Sequence, residues 1–521
     1  MLEILYNHLA VILAFLTAAA TAWFYGGMRA EALLHALPWF LALTLEALLF
    51  LPQRRPYEDV VQARGRMWHG IARDPVFYLM LAFIGLLIVP FFNRGLCPNC
   101  DVAAIAAGAD PAPFASYLPF CVNVKDHMEA LTWFVPAFVV ALTVRHALVR
   151  EGKRVFVEMI VWNAVLLAVF GFIEQASGAK FVFWESPEHP SYFFSTFGYP
   201  NAAGSFFVMM YAFSIGLWRH HAKQTDALHD ANRARHIHGH CHYWLRAHYM
   251  LVATVLLLFA ILYTRSRAAI MLLAMVSIMG AGYVVMESLG RNVARVRRLK
   301  TIAFTSVGMF VIGFSVLVFA PKSISDEMKT TDLTAIADRM TGKTEWHMTA
   351  AIEIFKEHPV FGVGCWGYKH LCLPYVPENA RRSFGLWYSK GGANVHNDYM
   401  QFLCEHGSVG VAILLLIVVV MLWPMVAVWN KLYKAALFVR ADKAPPKPKA
   451  IFAMPAGTFW VLVGNLCLCI HVFGDCSMRG AAVLTVFFSS LAAAEGFIPR
   501  QNDIEQLGED GRTEEERHRH G

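Results

Sequence analysis

The chain has 521 residues, 57% of them hydrophobic and 16% charged, with a mean hydropathy of +0.45. Such a chain is too apolar and too poor in charge for a soluble multidomain protein, so a polytopic membrane protein is expected. The formal net charge of +7 is accounted for by Lys and Arg in the connections between apolar runs and implies no nucleic-acid partner.

Crossing hydrocarbon takes about 20 apolar residues as a helix, and lipid leaves no alternative to helices for runs this long. About twelve runs approach that length: Leu9 to Phe24, Ala32 to Leu51, Val76 to Phe92, Ala130 to Leu148, Val155 to Ile173, Phe194 to Trp218, Tyr249 to Tyr263, Ala268 to Met286, Ile302 to Ala320, Ser408 to Trp429, Thr458 to Phe473 and Gly480 to Phe497. The first is expected to be a span rather than a cleaved signal, since no small-residue cleavage site follows a basic n-region. The expected fold is an all-α polytopic membrane protein. Residues 1–320 carry spans one to nine, 321–406 form a long outer loop, 407–497 carry spans ten to twelve, and 498–521 form a disordered tail.

Connections rich in Lys and Arg, such as "REGKR", "ESLGRNVARVRRLK" and "NKLYKAALFVRADKAPPKPKA", alternate with poorly basic ones. Positive charge is retained on the cytoplasmic side, so both termini are expected inside and the 321–406 loop outside. That loop holds an amphipathic helix pattern stopped by Pro359, then Gly-rich turns and aromatics. It is expected to be folded, as a periplasmic cap over a membrane cavity.

Before that cap, Arg265 and Arg267 in "YTRSRAAIM" occupy an outer turn between two spans, against the positive-inside bias. Arginines there either snorkel to head groups or grip a phosphorylated ligand through their fork geometry. Asn201 follows Pro200 at the outer start of a span, where it fits either a helix cap or an anion site. Arg339 and Arg479 add basic groups on the same side.

The cap ends in "NVHNDYMQFLCEHGSVGV", Asn394 to Val411, a crowd of polar groups at the threshold of an apolar run. Helical spacing puts Asn397, Gln401 and Glu405 on one stripe. His396 stands at its head, where an imidazole can change charge near neutral pH and accept a hydroxyl proton. Polar side chains satisfying the first turn of a helix explain the same residues equally well.

Cysteines in the outer loops permit closure within "CPNC" (Cys97 and Cys100), or between Cys365 and Cys372, and a disulfide is favoured over a metal site. Cys121 falls in the same outer region. The His-rich "HIHGHCHYW" is expected to face the cytoplasm as a solvated loop. No Asp-x-Asp element, P-loop or Rossmann fingerprint is found.

The order "FSTFGYPNAAGSF", "TRSRAA", "EIFKEHPVFGVGCWGY" and "HNDYMQFLCEHGSVGV" resembles the O-antigen ligase and polymerase superfamily of bacterial envelope glycosyltransferases, from about Phe194 to Phe497. The resemblance implies a GT-C-like enzyme of the bacterial inner membrane. It would take a glycan from an undecaprenyl diphosphate carrier and pass it to a glycan, lipid or protein hydroxyl, without metal ion or other cofactor. His396 would be the catalytic base, Arg265, Arg267 and Arg339 the diphosphate site, and Asn201, Asn397, Glu405 and Arg479 supporting groups. The spacing from Arg339 to Trp346 is looser than the family pattern, and the Arg94 to His127 loop departs from it. A ligase, a polymerase or protein O-oligosaccharyltransferase, and a non-enzymatic lipid-glycan transporter all fit these residues, although a transporter has no need of His396.

Overall fold

The computed structural model describes residues 2–93, 115, 117–186, 192–233, 245, 247–290, 308, 346–375, 394–438 and 454–498. Among them there is no strand. The longer helices are α1 (Leu2–Trp23), α2 (Ala30–Phe50), α3 (Val60–Arg73), α4 (Pro75–Ile88), α5 (Val124–Leu142), α6 (Arg150–Ala176), α7 (Pro200–Arg233), α8 (Met250–Tyr263) and α9 (Arg267–Gly290). They continue with α10 (Trp346–Glu357), the short α11 (Gly367–Leu371), α12 (Asp398–Phe438), α13 (Ala456–His471) and α14 (Ala481–Ala493).

Among the described residues, 7 helices are long and apolar enough to cross a membrane. An eighth span arises if α3 and α4 count as one, bent by 61°, and α8, α13 and the Ala481–Phe497 segment are shorter apolar helices. The protein is therefore a multi-pass, all-helical membrane protein. Every apolar run named above falls on one of these helices except Ile302 to Ala320, of which only Gly308 is among the described residues. The bend between α3 and α4 has a local cause. Pro75 disfavours helical geometry at Asp74, which is extended at φ −86° and ψ 115° and caps α4 by accepting from the Val76 N–H at 3.1 Å.

Lipid tails are as apolar as Leu, so helices in a bilayer associate through close packing around small residues. The α7–α13 contact is built this way. A Cβ on Gly464 would lie 2.6 Å from the Phe213 ring, and one on Gly216 would lie 2.7 Å from Trp460 Cβ. Trp460 and Phe213 are themselves fully buried.

A second, smaller core lies at one end of the bundle, where Phe120, Val122, Ala350, Ala351, Ile354, Val363, Tyr368, Cys372, Val395 and Cys404 pack together. It ties α10, the helix expected before Pro359, to the start of α12. Below it α12 is broken at Gly407, with φ 64° and ψ −177°. The break leaves carbonyls without helical partners, and the turn after Pro359 takes them up. Val363 N–H donates to Cys404 O at 3.1 Å and Gly364 N–H to Glu405 O at 2.8 Å; in return Ser408 N–H donates to Pro359 O at 2.9 Å and Val409 N–H to Val360 O at 3.1 Å. Gly362 and Gly407 allow this interlock, since a Cβ on either would sit within 2.5 Å of the opposing backbone. "HPVFGVG" and "EHGSVG" are thus two halves of one joint.

The expected disulfide between Cys365 and Cys372 is not made. Both are buried free thiols, as is Cys121. Cys97, Cys100, Arg339, the His-rich segment and the tail after Ile498 lie outside the described residues.

Candidate active site

The polar threshold before Gly407 is sewn to the segment joining α13 and α14. Asp398 N–H donates to Val472 O at 3.0 Å, its Oδ2 accepts from Met478 N–H at 2.7 Å, and Tyr399 OH donates to Cys469 O at 2.8 Å. Asn397 does two structural jobs: its Oδ1 caps the helix by accepting from Met400 N–H at 3.0 Å, and its Nδ2 donates to Phe473 O at 3.0 Å. Gln401 donates to Glu405 Oε1 at 3.1 Å, as their four-residue spacing predicts.

Glu405 faces Arg479 and not His396. Arg479 Nη1 donates to Glu405 Oε1 at 3.0 Å, and its guanidinium lies 3.9 Å from the Trp366 ring centroid and 5.2 Å from that of Trp133. Burial opposes its charge, but Glu405 more than offsets this and holds its pKa above the usual arginine value. These two residues form an internal tie between α12, the Cys365–Trp366 turn and the start of α14.

His396 sits just ahead of α12 in the left-handed region, at φ 54°. Its Nδ1 is 4.0 Å from Asp475 Oδ1, and its ring lies edge-on to His347 at 6.1 Å. Burial, together with the neighbouring His396, lowers the His347 imidazole to about 4, so His347 is neutral at pH 7. Its Nδ1 is 2.9 Å from Tyr368 OH. The side chain of His396 is 32% exposed and that of Asp475 only 2%, so the imidazole is reachable while its carboxylate is not.

Asp475 is the hub. Tyr199 OH donates to its Oδ1, Asn201 Nδ2 donates to the same oxygen at 3.2 Å, and Ser477 Oγ donates to Oδ2 at 2.6 Å. Burial pushes the acid toward protonation, but His396, His471, Ser477 and Tyr199 outweigh it and keep its pKa below the usual carboxylate value. Asn201 Oδ1 in turn accepts from Ser266 Oγ at 2.7 Å, and Ser266 lies between Arg265 and Arg267. The stretches "FGYPNAAG", "TRSRAA", "HND" and "DCSMRG", widely spaced in the chain, therefore meet at one carboxylate.

Arg265 is exposed in the left-handed region, at φ 56°, with its guanidinium 4.1 Å from the Tyr192 ring centroid. Arg267, half-buried, is the first residue of α9. His358 packs edge-on to Phe120, and His370 Nε2 is 2.7 Å from Asp126. Sequence reasoning missed Asp475, Tyr199, His347 and His471. The signal for Asp475 was there: an unpaired acid in a short polar break between two apolar runs.

Residues 252–415 match the family described as O-antigen ligase. The match covers about a third of the chain and supports the O-antigen ligase and polymerase superfamily, and with it ligase- or polymerase-type glycan transfer in general. No curated protein matches the chain. The matched segment holds the arginine turn, the Gly362–Gly407 joint and His396, whereas Asn201, Asp475 and Arg479 fall outside it.

Proposed function

We propose that the protein is a glycosyltransferase of the ligase type. It transfers a glycan from undecaprenyl diphosphate to an acceptor hydroxyl of lipid A-core or a similar surface acceptor, at the periplasmic face of the inner membrane, with both termini cytoplasmic. The observation that carries this reading is the Asp475 hub, which joins an accessible imidazole to the arginine turn through two side chains, Asn201 and Ser266.

The chemistry follows from that arrangement. With Nδ1–H directed toward the Asp475 carboxylate, Nε2 of His396 carries the lone pair and takes the proton of the acceptor hydroxyl. The hydroxyl oxygen attacks the anomeric carbon, and the bond from that carbon to the carrier's phosphate oxygen breaks. Undecaprenyl diphosphate leaves with the bonding electrons, and Arg265, Arg267 and Arg339 neutralise the charge it gains. A base and a leaving-group clamp on opposite sides of the sugar give a single displacement with inversion. Asp475 stabilises the imidazolium and fixes its tautomer.

The test uses purified protein, a carrier-linked glycan and separate acceptors: lipid A-core, free glycan and a Ser/Thr peptide. Transfer to lipid A-core is expected, and His396→Ala and His396→Gln are expected to abolish it while donor binding persists. Arg267→Lys should lose about 10²–10³ in rate, as for a lost charge-stabilising donor. Wild-type turnover by His396→Ala at normal abundance would overturn the mechanism.

A further inference from the structure

The mechanism above leaves Cys476 unused, although this buried thiol adjoins Asp475. Ligand atoms of His396, Asp475 and Cys476 all lie within 4.8 Å of one another. Asp475 Oδ1 is 4.0 Å from His396 Nδ1 and 4.0 Å from Cys476 Sγ. Zinc bonds of about 2.0–2.3 Å in a tetrahedron put neighbouring donor atoms roughly 3.3–3.7 Å apart. The three groups are therefore within a small side-chain movement of a coordination shell.

A second observation points to the same place. His471 is buried, its Nδ1 is held by Ser205 Oγ at 2.7 Å, and its Nε2 has no hydrogen-bond partner among the described residues. That nitrogen lies 4.0 Å from Asp475 Oδ2. The carboxylate is thus flanked by an imidazole on each side and a thiol beside it. Imidazole, carboxylate and thiolate together suit a borderline-soft ion and not Mg²⁺ or Ca²⁺, which take oxygen ligands.

We propose that His396, Asp475 and Cys476 form an inhibitory binding site for a borderline-soft divalent cation, with Zn²⁺ the best chemical match. Binding replaces the Cys476 thiol proton, which passes to solvent, by a metal–sulfur bond. It also engages Nδ1 of His396, so that Nε2 must carry the ring proton and has no lone pair to accept another. Inhibition in this form rests on His396 being the base proposed above; cation binding does not.

The experiment titrates Co²⁺, as a spectroscopic stand-in for Zn²⁺, into chelator-washed full-length protein carrying Cys241→Ser, which removes the thiol of the His-rich segment. One equivalent of thiolate-to-cobalt absorption is expected, displaced by Zn²⁺ and lost on adding Cys476→Ser. In the transfer assay Zn²⁺ should inhibit and EDTA should restore activity. Cys476→Ser should transfer normally and need at least about 100-fold more Zn²⁺ for half inhibition, since even outer-shell groups contribute about 10–100-fold to metal affinity. Cobalt absorption or zinc sensitivity unchanged in Cys476→Ser would overturn the inference and leave the transferase reading intact. Transfer surviving in His396→Ala would remove that reading, while the cobalt absorption of the protein that keeps His396, and its loss in Cys476→Ser, would still stand for the cation site.

Discussion

The α7–α13 contact and the Asn394–Glu405 threshold differ in what holds them together. In the first, glycines bring backbone against the buried side chains of Phe213 and Trp460, with a Ser205–His471 hydrogen bond at its end. In the second, buried Asp398, Gln401, Glu405, Asp475 and Arg479 are held by hydrogen bonds and one ion pair. Steric packing tolerates many apolar substitutions of similar volume. A buried polar network fails when one member is lost, because its partner is then left unpaired in a poor solvent. The bundle is scaffolding in this sense, and the threshold is a device with few interchangeable parts.

The largest effect should come from breaking the threshold at its ion pair. Arg479→Ala leaves Glu405 charged and unpaired, which costs about 3–5 kcal/mol for a buried pair. The thermal transition of the purified protein should fall and transfer should be lost. The double variant Glu405→Leu/Arg479→Met sharpens the contrast, because apolar replacement of a buried pair is often neutral or stabilising. It should regain stability. Recovery of transfer as well would mean that the pair serves stability alone; continued loss would show that it positions the neighbouring groups.

A smaller effect is expected at the joint between the two regions. Gly407 has backbone angles that only glycine adopts readily, and a Cβ there would meet Val360 O at 2.3 Å. Gly407→Ala therefore combines backbone strain and overpacking, for roughly 2–4 kcal/mol. Ser408→Ala, one residue on and exposed, removes only a hydroxyl bond to Pro359 O and serves as the control. Equal thermal stability in the two variants would mean that the interlock does not hold the cap to α12.

The two regions were also unequally legible. Apolar runs announce spans directly, because hydrocarbon demands a fixed length of helix, and the runs fell on apolar helices wherever the structure describes them. His396, Asn201 and the arginine turn stood out as polar groups in apolar surroundings. Their convergence on Asp475 did not, because no periodicity relates positions 201, 266, 396 and 475. Helical spacing places Glu405 on one stripe with Asn397 and Gln401, and only tertiary packing shows that Arg479 takes it. The Cys365–Cys372 closure fails for a similar reason: spacing suggests a pair, but packing sends one thiol to Arg479 and the other into the cap core.

The smallest predicted effect separates two neighbours that sequence alone cannot tell apart. Asn397 and His396 are adjacent at the same helix entry, and capping accounts for either. In the structure Asn397 caps Met400 and pins Phe473, with both contacts to backbone. Losing a cap costs about 1 kcal/mol, and the second bond adds about as much. Asn397→Ala should therefore lower the thermal transition slightly and leave most of the transfer rate intact. Asn397→Asp keeps the cap acceptor and should restore part of that stability. If Asn397→Ala instead matches His396→Ala in losing transfer at full stability, the division between a capping residue and a proton acceptor fails. The threshold would then act as one unit, with the imidazole's position depending on every bond that anchors the first turn of α12.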